Sequence, residues 1–77
     1  MLKVEYDREA DALYVTLREA ECAYTKPLGE LRNVDYGADD LPIGIEWFHV
    51  SKGVDLADVP QAKEIEDTLR GSFRVYA

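Results

Sequence analysis

The chain has 77 residues, of which 47% are hydrophobic and 32% charged, with three prolines and five glycines; this is the length of one small domain spanning 1–77 and the composition of a chain that folds. Sixteen acids against nine bases give a formal net charge of -7, the wrong sign for displacing counterions from nucleic acid phosphates or for holding an anionic membrane. No apolar run approaches the ~18 to 20 residues of a membrane span, and the opening stretch MLKVEYDREAD lacks the basic-then-apolar pattern of a secretory leader.

The first element is a strand over Leu2 to Tyr6, where Leu2, Val4 and Tyr6 alternate with Lys3 and Glu5. Polar and small residues from Asp7 to Asp11 form a turn, and alternation resumes from Ala12 to Leu17, with Leu13, Val15 and Leu17 inward and Tyr14 and Thr16 outward. These two runs predict a hairpin. Ala23 to Leu28 predicts a short strand confined to an edge by Pro27, which has no N–H to donate. Leu31 to Tyr36 predicts another strand, and GADDLP after it is a cluster of turn formers.

Ile43 to Val50 is the strongest candidate for a central strand. Ile43, Ile45 and Trp47 share one face, and Gly44, Glu46 and Phe48 the other. Beyond Lys52 the pattern becomes helical: Asp58 is a candidate N-cap, Pro60 suits a first turn, Gly71 suits a stop, and Ala62, Ile65 and Leu69 line one face. The tail SFRVYA alternates again, predicting a short last strand or a tail docked on the sheet. Together these elements predict an α+β fold, an antiparallel β-meander of four to five strands with one C-terminal helix packed on one face.

Two segments, EYDREADALYVTL (Glu5 to Leu17) and VDYGADDLPIGIEWF (Val34 to Phe48), resemble the two motifs of a family of short bacterial, archaeal and phage proteins known as domain of unknown function 2283. That pattern has an apolar strand, an acidic turn ending in Asp-Ala-Leu-Tyr, and later an Asp-Tyr turn leading into Gly-Ile-Glu. The resemblance implies a small sheet-rich protein without an established activity, some relatives of which are proposed as antitoxins to neighbouring small ribonuclease-like toxins. Gly37 departs from the acidic residue usual after Asp-Tyr, and Asp40 stands near the usual turn glycine.

Few constellations in the sequence suit chemistry. Asp7, Glu9 and Asp11 bunch in the first turn, where carboxylates ordinarily accept backbone N–H bonds. Asp35, Asp39 and Glu46 occupy the first, fifth and twelfth places of a 12-residue calcium-loop window, but Gly37 and Asp40 occupy its third and sixth places wrongly, and the window ends in a strand. Glu46 is the most pointed polar residue, either facing solvent or pairing with Arg18, Arg32 or Lys3; His49 is the only histidine. The single Cys22 excludes an intramolecular disulfide and suits a reducing, cytoplasmic setting. No cofactor or metal site is expected.

In a regular strand Trp47 and Phe48 point to opposite faces, so one belongs to the core and the other to a contact surface or the second face of the sheet. With Tyr14, Tyr36 and Glu46 they form the candidate interaction set, and Tyr14, Tyr36, Phe48 and Val50 predict an apolar area on the face opposite the helix or at an edge of the sheet. The expectation is a small acidic, non-catalytic binding or regulatory protein: an antitoxin-like partner of a small basic toxin, or alternatively a homodimeric, self-associating accessory domain.

Overall fold

The computed structural model describes residues 2–77. Five strands, β1 (Lys3–Asp7), β2 (Ala12–Thr16), β3 (Tyr24–Pro27), β4 (Arg32–Tyr36) and β5 (Pro42–Phe48), form one sheet that is antiparallel throughout. A 3-10 turn (Val50–Lys52), β6 (Val54–Asp55), helix α1 (Ala62–Leu69) and β7 (Val75–Tyr76) follow. The α+β class, the antiparallel sheet and the single C-terminal helix are those the sequence predicts.

Strand order refines the meander. It runs β1-β2-β5-β4-β3, so β3, β4 and β5 form a consecutive meander that closes against the first hairpin, and β5 occupies the centre. Register places Leu13 opposite Trp47 and Val15 opposite Ile45 on one side of β5, with Val34 opposite Ile45 on the other. All five side chains are buried and share one face, because paired residues of antiparallel strands point the same way. Pro27 ends the edge strand β3, where no ladder hydrogen bond is required of it.

Local polar groups fix the turns. Asp7 Oδ1 accepts the N–H groups of Glu9 (3.0 Å) and Ala10 (3.3 Å), which turns the chain from β1 into β2. Asp40 takes a left-handed backbone (φ 65°) between β4 and β5, a conformation aspartate adopts more readily than most residues. In the same turn, Asp39 Oδ1 accepts the Leu41 N–H at 3.2 Å.

Ile65 and Leu69 of α1 pack with Val54, Leu56 and Val59 onto the sheet's apolar face, forming one cluster with Leu13, Val15, Val34, Ile45 and Trp47. The helix starts later than Asp58 and Pro60 suggest. Asp58 (φ 62°) and Gln61 (φ 56°) are both left-handed, so the chain turns twice before helical geometry begins at Ala62, with Gln61 as N-cap. Gly71 (φ 92°) does stop the helix, and the Leu69 carbonyl accepts the N–H groups of Ser72 and Phe73 at 3.0 and 3.1 Å. The last strand pairs in parallel with β6, apart from the main sheet.

Candidate functional site

The face of the sheet away from α1 carries the most ordered polar arrangement. Alternation sends Tyr14 of β2, Gly44 and Glu46 of β5, Asn33 and Asp35 of β4, and Thr25 of β3 to this side. Tyr14 leans along the sheet, and its hydroxyl donates to Asp35 Oδ2 at 2.8 Å. Thr25 Oγ1 donates to the other carboxylate oxygen, Oδ1, at 2.6 Å. A polar row thus spans four strands, with the Asp35 carboxylate held from both sides.

Gly44 makes that row possible. Any Cβ at this position would overlap the Tyr14 hydroxyl, so the ring lies directly over the β5 backbone. Burial first, then the hydrogen bond and charge of Asp35, raise the Tyr14 pKa above the ordinary phenol value. The hydroxyl therefore remains a donor throughout the neutral range.

Glu46 lies beside this row, in register with Tyr14 on β2 and Asn33 on β4. It is half-buried, and among the described residues it has neither a hydrogen-bond nor an ion-pair partner. Both arginines that the sequence offered it are engaged elsewhere. Arg18 donates to Asp39 Oδ1 at 2.6 Å and to the Leu41 carbonyl at 3.1 Å, while Arg32 donates to the carbonyls of Asp55 and Ala57 at 3.2 and 2.6 Å.

The other candidate residues separate. Trp47 is 2% exposed and belongs to the core, where its indole N–H donates to the Asp55 carbonyl at 2.8 Å; it leaves the interaction set. Phe48 points to the open face and is half-buried. Tyr36 lies on the helix side, not beside Tyr14, because it alternates in phase with Val34; it stacks on Tyr24 with centroids 5.1 Å apart, and Lys26 Nζ stands 5.9 Å from both rings. Val50 is likewise a core residue, so the apolar area expected from Tyr14, Tyr36, Phe48 and Val50 contracts to Tyr14 and Phe48.

Among the groups considered for catalysis or metal binding, Asp11 and His49 come near each other, whereas the other carboxylates are held elsewhere. Asp11 accepts the Ser51 hydroxyl at 2.7 Å and the Ser51 N–H at 3.1 Å, tying the first hairpin to the 3-10 turn, and the Ser51 hydroxyl bond is the main cause of its lowered pKa, to which the His49 charge adds a last, small contribution. His49 is exposed, with a left-handed backbone, and borders a cleft of about 340 Å³ with Leu31, Arg32, Phe48 and Lys52. Asp39 is committed to Arg18 and the Leu41 N–H, while Asp35 and Glu46 stand on the open face. No three carboxylate, histidine or cysteine groups are placed to share a metal ion among the described residues.

The family model described as "Protein of unknown function (DUF2283)" matches residues 3–51. The chain belongs to this family. The matched segment contains all five strands of the main sheet, including Tyr14, Asp35, Gly44 and Glu46; α1, β6 and β7 lie beyond it. No curated protein and no solved structure matches the chain.

The DUF2283 segment holds one neighbour of the polar row that the sequence reading missed. Cys22 Sγ lies 3.7 Å from Thr25 Oγ1 and 3.5 Å from the Tyr24 carbonyl, and it is exposed. Thr25 in turn donates to Asp35, a contact set by the β3–β4 register, for which Cys22 itself offers no signal. No helix among the described residues is long and apolar enough to cross a membrane.

Proposed function

We propose that this chain is a small acidic, non-catalytic protein-binding domain that docks a basic protein against the open face of its sheet, in the manner of an antitoxin covering its target. The observation that carries the reading is Glu46: a half-buried carboxylate on the central strand, without an internal partner among the described residues, framed by Tyr14 and Phe48. An arginine or lysine from a partner would pair with it while Tyr14 and Phe48 supply apolar contact, the aromatic and charged combination typical of binding hot spots. The net charge of -7 adds long-range attraction to a basic surface and disfavours nucleic acid.

Asp39 and Asp11 are taken up by Arg18 and Ser51 while Glu46 stands without a partner among the described residues, which favours a binding role over a catalytic one. The single exposed Cys22 accords with a reducing, cytoplasmic setting. Affinity capture at low and moderate salt tests the proposal: a basic protein retained by the wild type and lost both on raising salt and on Glu46→Lys supports it, and retention that ignores both defeats it. A second reading, a self-associating accessory domain, is favoured by the exposed apolar side chains of β1.

A further inference from the structure

β1 forms one edge of the sheet, and all five of its residues are exposed. Val4 and Tyr6 retain 37% and 43% of their accessible surface, although their register partners Val15 and Leu13 have none. The apolar face thus extends one strand further than the described residues cover it, although Phe73 reaches over to meet the Tyr6 ring edge-on at 5.3 Å. Edge strands are commonly blunted by proline or by a bulge. β3 at the far edge ends in Pro27, whereas β1 has no proline and keeps unbroken register with β2 from Lys3–Thr16 to Asp7–Ala12.

The segment Leu2-Lys3-Val4-Glu5-Tyr6 is its own complement when read antiparallel about Val4. A two-fold axis normal to the sheet keeps each side chain on its own face, so only registers centred on a residue are allowed. Centring on Val4 sets Val4 against the partner's Val4, Leu2 against the partner's Tyr6, and Lys3 against the partner's Glu5, with the last pair formed twice by symmetry. Centring on Lys3 opposes two lysines, centring on Glu5 opposes two glutamates although it also sets Lys3 against Asp7 twice, and centring on Tyr6 opposes Glu5 and Asp7 twice; like charges directly across strands are destabilising, and the Val4 register has none within β1.

We propose that two copies of the chain pair antiparallel through β1 in the Val4-centred register, joining two five-stranded sheets into one continuous sheet. Lys3 and Glu5 select the register, while Val4, Leu2 and Tyr6 supply the apolar contact. Both open faces then lie on the same side of the joined sheet, which presents Glu46 twice. The pairing does not depend on the open face having a ligand: a monomeric wild type would end this proposal and leave docking of a basic protein intact.

Sedimentation of the full chain, with a thiol reductant to keep Cys22 reduced, tests the pairing through charge. The wild type is expected to sediment at twice 8.7 kDa. Lys3→Glu alone and Glu5→Lys alone each oppose like charges twice and weaken the dimer by about tenfold or more. An equimolar mixture of the two single variants, and the double variant K3E/E5K, regain it. Both positions are exposed, and circular dichroism checks that each variant folds. A wild type that stays monomeric up to about 1 mM, or a dimer indifferent to both single changes, overturns the proposal.

Discussion

The Tyr14 hydroxyl reaches across the backbone of Gly44 to stand 2.8 Å from Asp35 Oδ2, joining residues 21 positions apart in sequence through the central strand. This contact ties β2 to β4 independently of the ladder hydrogen bonds. Tyr14→Phe removes the donor and keeps the ring, so it should destabilise the fold by about 1.5 kcal/mol, the lower end for a bond to a charged group because the site is partly exposed; urea unfolding measures it. The raised phenol pKa sets the sign with pH. Stability linked to Tyr14 is full below the unfolded value near 10 and is lost as pH rises above it, and Tyr14→Phe should flatten that alkaline decline.

Gly44→Ala should be more damaging than its small volume suggests. The added Cβ overlaps the Tyr14 hydroxyl, and overpacking of this kind costs about 1–3 kcal/mol. In a Tyr14→Ala background most of that penalty should disappear, since the clashing atoms are gone. A double-mutant cycle by chemical denaturation gives the coupling, and simple additivity would contradict the overlap.

Acid sensitivity should centre on Asp11 and Asp39. The Ser51 hydroxyl holds the Asp11 pKa below 3.8, and the Leu41 N–H, followed by Arg18, does the same for Asp39. A depressed carboxyl pKa contributes stability that is present above the unfolded value and lost as pH falls through the folded one. Ser51→Ala should therefore lower the denaturation midpoint at neutral pH and make the loss below about pH 4 shallower. A parallel shift at every pH would contradict the linkage.

Trp47 serves as both core side chain and donor. Trp47→Phe leaves the Asp55 carbonyl with Arg32 Nη1 at 3.2 Å as its remaining side-chain donor and opens space in the core. A loss of about 1–3 kcal/mol is expected from a cavity and a weakened hydrogen bond together. Wild-type tryptophan fluorescence should be blue-shifted in the fold and move to the red on unfolding, since Trp47 is 2% exposed; red-shifted emission from the native protein would contradict this placement.

Most elements were legible because alternation and turn chemistry are local signals. Pro27 marked an edge, the Ile43, Ile45 and Trp47 pattern marked the central strand, and Gly71 marked the helix stop. The polar row was not legible. Tyr14 and Asp35 meet only because β5 inserts between β2 and β4, a non-local pairing that no short window of sequence encodes. Asp58 looked like a cap, but its left-handed backbone, with that of Gln61, delays the helix to Ala62. The place of Tyr36 is legible as well: it alternates in phase with the buried Val34, which separates it from Tyr14 despite their shared aromatic character.

The most direct test of the binding account compares affinity capture by the wild type and by Glu46→Lys, at low and moderate salt, with circular dichroism confirming that both fold. The account predicts that the wild type retains a basic protein at low salt and releases it as salt rises, with Glu46→Lys weakening retention at least about tenfold through loss of one attraction and gain of one repulsion. Equal retention by both proteins, unaffected by salt, would contradict docking at the open face.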